Sequence, residues 1–434
     1  MLTIAPHIAR RARLAGLIGQ GVAVVATAPE QVRNADNHFP FRYDSTFHYL
    51  TAFPEPEAVL VLMAGESPRS ILFCREKDME REIWDGFRHG PDAAKSLFGF
   101  DEAYPIARLD ELMPSLLENQ PSLYSLLGDD VRWDARLIGW VNTVRGRARS
   151  GVSAPEQFAD LRRLVGNMRL FKDEHELALM RRAAEISRDA HMRAMRTTRP
   201  GMFEYQIEAE LLHEFCRQGS RSPAYGSIVA GGANACVLHY GDNHAVLADG
   251  DLLLIDAGCE YAGYASDITR TFPVNGRFSG PQRAAYEIVL AAQEAAIEAC
   301  RPGQHWNQPH DAAVRVLVQG MLDLKLLSGT VDGVIESEAY RQFYMHRTGH
   351  WIGMDVHDVG DYKQSGAWRV FEPGMALTVE PGLYIRPADG VPEAYWNIGI
   401  RIEDDVVITA QGCDNLTAAT PKRVDDIEAL MLGH

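Results

Sequence analysis

Two acidic residues sit where an apolar chain should not tolerate them. Asp256 ends the run Leu252-Leu-Leu-Ile255, and Asp267 interrupts the next strand-like stretch, Tyr264 to Phe272. A carboxylate entering a core is strongly disfavoured unless something positive meets it. The pattern recurs downstream. Glu380 ends Met375-Ala-Leu-Thr-Val379, and Glu403 lies two residues beyond Arg401 within Asn397 to Ile408, so on one strand the two share a face. Four converging carboxylates repel and cannot all ionise unaided, so they hold either protons or cations. Hard divalent ions are the ordinary solution. Two ions suit four carboxylates, and a histidine would complete the set. His346, His350 and His357 fall within twelve positions, and His350 neighbours Trp351 and Gly353, where glycine lets the backbone approach closely. Imidazoles clustered in such a chain point to function. His239, in Asn234-Ala-Cys-Val-Leu-His-Tyr240, has the simpler reading of a residue that ends a strand.

The surrounding elements must bring these residues together. After Asp256 the chain turns around Glu260 to Gly263, and a hairpin there returns Asp267 beside Asp256. After Glu380 a longer loop returns through a strand over 397–408. Asp249-Gly-Asp-Leu-Leu-Leu-Ile-Asp-Ala-Gly258 and Glu372-Pro-Gly-Met-Ala-Leu-Thr-Val-Glu-Pro-Gly382 match in plan. Each has a glycine six residues before the acid and another two after it. Arg199-Pro-Gly201 and Arg301-Pro-Gly303 each end one helix before another begins. The shared order of features indicates two duplicated half-domains facing one cleft, with Asp256 and Glu380 in equivalent places. Asp173 with Glu176 forms a capping box that opens a helix through about Thr198. Further helices are expected over 204–218, 281–299 and 310–322.

Upstream, Glu57 to Met63 and Ser70 to Cys74 read as buried strands, and Pro91 to Leu97 and Leu109 to Glu118 as helices, an α/β layout without obvious chemistry. The domain boundary falls at 165–175, giving an N-terminal α/β domain over 1–170 and a catalytic domain over 171–434. Arg10, Arg11 and Arg13 before an apolar run faintly suggest a secretory signal, but Gly19-Gln-Gly21 breaks it into an amphipathic helix, a turn and a strand from Val22 to Ala26.

Composition narrows the class. The chain has 434 residues, ample for two domains, and a formal net charge of −16. That charge excludes nucleic acid and anionic membrane as partners. No window reaches the ~18 uninterrupted apolar residues of a membrane span. Cys74, Cys216, Cys236, Cys259, Cys300 and Cys413 show neither paired nor zinc-finger spacing, and read as scattered reduced thiols of a cytoplasmic protein.

Four motifs, IDAGCEYAGYASDITRTFPVNG (255–276), HWIGMDVHDVG (350–360), LTVEPGLYI (377–385) and GIRIEDDVVIT (399–409), together with RNADNHFPFRYDSTFHYLTAFPEPEAVLVL (33–62), resemble the metal-dependent Xaa-Pro aminopeptidases, or aminopeptidase P. These belong to the pita-bread metallopeptidases, which include prolidase and methionine aminopeptidase. The resemblance covers nearly the whole chain. It implies a C-terminal pita-bread catalytic domain with pseudo-twofold internal duplication. It also implies five metal ligands, Asp256, Asp267, His350, Glu380 and Glu403. Asp267 and Glu403 would bridge two divalent ions, usually Mn2+, with Co2+ or Zn2+ as alternatives. Asp256 completes one ion's shell, and His350 and Glu380 the other's. His239, His346 and His357 match substrate-side histidines, and Arg401 and Tyr384 match positions that hold ligands in place. The family's neighbouring subunit reaches the site, with Asp36 and Trp84 at matching positions, so a homo-oligomer, dimer or tetramer, is expected. One departure matters. Gln364-Ser-Gly-Ala-Trp368 lacks the basic residue expected just upstream of Arg369, so the intersubunit or distal-substrate contacts of that residue do not carry over.

The expected chemistry follows from charge. Two adjacent cations acidify a bridging water, and the resulting hydroxide attacks the carbonyl carbon of the Xaa-Pro bond of a proline-containing peptide. His357 stabilises the oxyanion, His346 assists, and Glu380 shuttles the proton to the departing nitrogen. The bond is a tertiary amide with no N–H, so a pocket of Tyr225, Leu238, His239 and His346 suits the ring, although Tyr225 and Leu238 also read as ordinary core. Prolidase, restricted to dipeptides and open to organophosphate side activity, is the nearest rival. A metal-free creatinase-like hydrolase predicts lost ligands, and none are lost. A non-catalytic binding module is opposed by the intact ligands together with His346 and His357.

Overall fold

The computed structural model describes residues 3–433, and the chain divides after Met168 into two units. In the first, apolar runs form a six-stranded sheet. Its strands are β1 (Gly21–Ala26), β2 (Val59–Ala64), β3 (Arg69–Cys74), β4 (Glu102–Pro105), β5 (Ser122–Ser125) and β6 (Gln157–Asp160), in the order β4-β3-β2-β1-β5-β6. β1 pairs antiparallel with β2 and parallel with β5. It is central, which is why Val22 to Val25 are buried on both faces. A helix, α1 (Ala5–Ile18), precedes β1. Arg11, which the sequence reading grouped with a basic leader, is buried. Its guanidinium donates to Leu50 O at 2.9 Å, Phe98 O at 3.1 Å and Gly99 O at 2.6 Å. It therefore serves the carbonyl ends of two helices, Ser45–Thr51 and α2 (Gly90–Phe98). A helix pair, α3 (Leu109–Leu117) and α4 (Val131–Arg145), supplies Leu109, Met113 and Trp140 to the core over the sheet.

The second unit is built twice on one plan. The capping box of Asp173 and Glu176 is formed, with N···O distances of 2.9 and 3.0 Å, and opens α5 (Glu174–Thr197). A turn at Gly201, φ 88°, leads to α6 (Glu204–Arg217). In the second half α7 (Gly280–Ala299) and α8 (Gln308–Asp323) flank a turn at Gly303, φ 86°. After the first helix pair come β7 (Ile228–Gly231), β8 (Leu252–Asp256), a small hairpin of β9 (Cys259–Tyr261) and β10 (Tyr264–Ala265), and β11 (Thr269–Pro273). β8 pairs antiparallel with β11, with Asp256 opposite Thr269. After the second pair come β12 (Ala376–Val379), a hairpin of β13 (Gly382–Ile385) and β14 (Ile398–Arg401), and β15 (Asp404–Ile408), with β12 antiparallel to β15. Each half is thus a strand, an inner hairpin and a return strand.

This corrects one expectation. Residues 397–408 are not a single strand. The chain leaves β13 after Arg401 and joins β12 at Asp404, so Glu403 sits in the crossover rather than on Arg401's strand face. The matching glycines have one purpose. A Cβ on Gly258 would lie 1.7 Å from Ser266 O, and one on Gly382 would lie 2.9 Å from Ile400 O. Each permits the return segment to cross close over the outgoing one.

The helices cover one face of these strands with a single core that takes Leu253, Ile255, Phe272, Val379 and Ile400. Leu254 packs on the other side with Ile228 and Ala230. Strand alternation then puts Asp256 on Leu254's face, away from the helices. The halves are tied together along β11. Glu403 N donates to Thr269 O at 3.0 Å, and Thr271 Oγ1 donates to Arg401 O at 3.0 Å. Behind them Arg270 and Asp404 form a fully buried pair at 2.7 Å, joined by Lys422 at 2.6 Å. Burial would raise the Asp404 carboxyl, but the two cations hold it well below the usual range.

Candidate metal centre

The crossovers deliver five donors to one cavity of about 410 Å³, lined by Asp256, Asp267, His350, Glu380 and Glu403 among others. Ligand atoms of Asp267, His350 and Glu403 all lie within 4.8 Å of one another. His350 Nε2 is 3.5 Å from Asp267 Oδ2 and 3.7 Å from Glu380 Oε1. Its Nδ1 is 3.0 Å from Trp351 O, which orients the ring so that Nε2 faces the carboxylates. At the other end Arg401 Nη2 holds Asp256 Oδ2 at 2.6 Å. Thr269 Oγ1 donates to Glu403 Oε2 at 2.6 Å. Thr269 follows Asp267 by two, a same-face spacing legible in the sequence.

Electrostatics reveal what the cluster lacks. Burial, then repulsion from Asp267, Glu380 and Asp256, pushes the Glu403 carboxyl well above its ordinary range. Burial likewise raises Asp256 against the pull of Arg401, and raises Glu380 to about 7 against His350 and Arg401. Burial alone would lower His350, but the Asp267 and Glu380 carboxylates outweigh it and raise the imidazole to about 9. The same imidazole, with Tyr225 and Arg401, keeps Asp267 below its usual value despite burial. Four acids and one basic imidazole therefore share protons that divalent cations would displace. An oxygen-rich set with one nitrogen fits such cations, and the spread from Asp256 to Glu380 gives donors for two.

The other predicted residues surround the cluster. Tyr225, Leu238, His239, His346, His357 and Arg401 line the same cavity, whereas Tyr384 is buried behind it. Tyr384 Oη accepts from Arg401 Nη1 at 3.0 Å and lies 2.9 Å from His346 Nε2. His346 Nδ1 lies 2.7 Å from Arg347 O, so both ring nitrogens are engaged. Burial, then Arg401, lowers this imidazole to about 3, so it is neutral. His357 is exposed, with its ring 4.3 Å from His350 and perpendicular to it. Burial and His350 lower its affinity for a proton.

Tyr225 does more than the wall role expected of it. Its hydroxyl donates to Asp256 Oδ1 at 2.7 Å and also contacts Asp267 Oδ1. Two supports escaped the sequence reading. The loop bearing His357 is anchored by Asp358, buried between Lys172 at 3.0 Å and Arg169. The loop bearing Leu238 and His239 is anchored by Glu204. That carboxylate accepts from Gly231 N, Asn234 Nδ2, Tyr240 Oη and Ala245 N at 2.8–3.0 Å. In both cases the partners are far apart in sequence and carry no local signature.

Comparison with known proteins agrees with this architecture. Residues 178–410 match Metallopeptidase family M24, and residues 7–124 match the aminopeptidase P N-terminal domain. A curated Xaa-Pro aminopeptidase of Escherichia coli is 48% identical over 94% of this chain and 93% of its own length. Aminopeptidase PepP of Pseudomonas aeruginosa superposes with a TM-score of 0.98 at 51% identity, covering 100% of this chain and 98% of that one. Zn-substituted Escherichia coli aminopeptidase P, solved in complex with product, superposes at 0.97 with 46% identity, covering 100% and 99%.

Proposed function

The chain belongs to metallopeptidase family M24, and from that premise we propose that it is a metal-dependent Xaa-Pro aminopeptidase that removes the first residue from peptides with proline second. The observation that carries this reading is the convergence of Asp256, Asp267, His350, Glu380 and Glu403 on a cavity that His239, His346 and His357 also line.

Asp256, Asp267, His350, Glu380 and Glu403 would hold two divalent ions. We assign Mn2+ from the oxygen-rich donor set, with Co2+ or Zn2+ as alternatives. Bound there, the ions supply Lewis acidity and water activation. The remaining steps belong to the chain. The carboxylate cluster attracts the peptide's free amine. Tyr225, Leu238, His239 and His346 enclose the proline ring and ask for no amide hydrogen. His357 is exposed on the cavity and donates a hydrogen bond to the scissile carbonyl oxygen as charge develops there. Glu380 carries the proton given up by the attacking water to the proline nitrogen as the C–N bond breaks. Arg401 holds Asp256 and, through Tyr384, the His346 ring.

We assign the N-terminal unit to oligomerisation and substrate access. Met79, Ile83, Trp84 and Phe87 are 65–84% exposed on and beside the short helix Met79–Asp85, an apolar surface suited to a second copy in a dimer or tetramer. All six cysteines are free, and among the described residues no helix is long and apolar enough to cross a membrane. We assign the enzyme to the cytoplasm, where thiols stay reduced. Prolidase shares the metals and the chemistry, so the test is substrate length. The reading expects cleavage of Xaa-Pro-Xaa tripeptides, and cleavage of Xaa-Pro dipeptides alone refutes it.

A further inference from the structure

A short peptide entering this cavity is a zwitterion. Its amine enters the end of the cavity rich in carboxylate oxygens, but its far end carries a negative charge that needs a cation. Of the two arginines lining the cavity, Arg401 is buried and committed to Asp256 at 2.6 Å. Arg347 is exposed and makes no such commitment. It donates to the neutral amide oxygen of Asn307, and its guanidinium lies 5.2 Å from the centre of the Trp368 ring. Lys363 Nζ lies 4.1 Å from the same ring. Among the described residues neither cation has a carboxylate within ion-pair distance.

The arrangement is built rather than incidental. Lys363 and Trp368 are register partners across the hairpin of Lys363–Gln364 and Ala367–Trp368, and Trp368 packs against the main core. An amide and an aromatic face orient two positive charges without neutralising them. Arg369, by contrast, is buried beside Phe171 and Glu372 and cannot reach a ligand.

Position on the chain indicates the ligand. His346 belongs to the proposed proline pocket, and Arg347, the next residue, lines the same cavity. One residue of extended peptide spans about 3.3–3.6 Å, so a cation just past proline meets the end of a tripeptide. We propose that Arg347, supported by Lys363 on the shared indole, receives the C-terminal carboxylate of a short Xaa-Pro-Xaa peptide. This rests on the aminopeptidase reading and sharpens it to short free-acid substrates.

The test compares kcat/KM for one Xaa-Pro-Xaa tripeptide as free acid and as C-terminal amide, using metal-loaded wild type, Arg347→Gln and Lys363→Gln. Wild type should favour the acid roughly tenfold, the order of a charge-assisted contact at a partly exposed mouth. Arg347→Gln should bring the ratio close to one, and Lys363→Gln should lower it by a smaller factor. A purely structural role would shift both substrates together and leave the ratio unmoved. Equal turnover of acid and amide by wild type, or an unchanged ratio in Arg347→Gln, overturns the proposal while leaving the aminopeptidase reading intact. Failure of wild type to cleave either tripeptide overturns both.

Discussion

Gly258→Ala adds one methyl group, yet it should disable the site. The new Cβ would lie 1.7 Å from Ser266 O, whereas ordinary contact begins at 3.4 Å, so the two segments must part by roughly as much again. The obstacle is backbone, which cannot rotate aside. Gly258 is not among the residues with positive φ, so alanine meets no conformational strain and the clash acts alone. Overpacking of this kind costs about 1–3 kcal/mol. The functional effect should be larger, because Ser266 immediately precedes Asp267. A displacement of about 1 Å in a reacting constellation costs on the order of 100-fold in rate. The assay combines metal content per chain after desalting, the thermal midpoint and tripeptide turnover. Expected are loss of bound metal, a midpoint lower by several degrees and a turnover loss of about 100-fold or more. Gly280→Ala is the control, because nothing lies within 4 Å of its added methyl. If Gly258→Ala binds metal and turns over like wild type, the close crossing does not position Asp267 and the reasoning fails.

Three further perturbations probe separate parts of the account. Glu380→Ala should abolish turnover, at least the ~10²–10⁴-fold attributable to a lost proton carrier, with an unchanged circular dichroism spectrum; near-normal activity would remove Glu380 from the mechanism. Glu204→Gln places an amide donor among four donors and should destabilise by about 1–3 kcal/mol. Through the loop bearing Leu238 and His239 it should also raise KM more than it lowers kcat, and an unaltered KM would sever that link. His48 concerns pH. Burial, then the neighbouring His7, depresses its imidazole from 6.5 to about 3. The unfolded chain therefore gains a proton below about pH 6.5 that the folded chain refuses. Stability should be intact above that pH and fall as pH drops through the interval. The urea midpoint of the wild type should fall between pH 7 and 5, and that of His48→Gln should fall less; equal slopes would contradict the assignment.

The two halves of the site differ in how readily they could be read from the chain. Asp256 and Glu380 announced themselves because a carboxylate closing an apolar strand is a local anomaly, and it occurs twice with the same glycine spacing. The helices and their capping box were legible for the same reason, since caps and periodicity are local. The strand over 397–408 misled because no glycine or proline marks the change of partner at Ile402 and Glu403; only the competing pairings of β13 and β12 create the break. Tyr225 read as a wall because the position of a hydroxyl depends on where two carboxylates converge in space. Asp358, Lys172 and Arg169 were invisible for the plainest reason. Their contacts join residues 186 and 189 positions apart, and no sequence window contains both ends.

The central claim is that the acids of both halves serve one reaction through two divalent ions. Stripping the enzyme with a chelator and titrating Mn2+ back, while following hydrolysis of an Xaa-Pro-Xaa tripeptide, tests it most directly. The account predicts negligible turnover without metal and a rise that saturates at two ions per chain. Full turnover in the stripped protein, or saturation at a single ion, would contradict it.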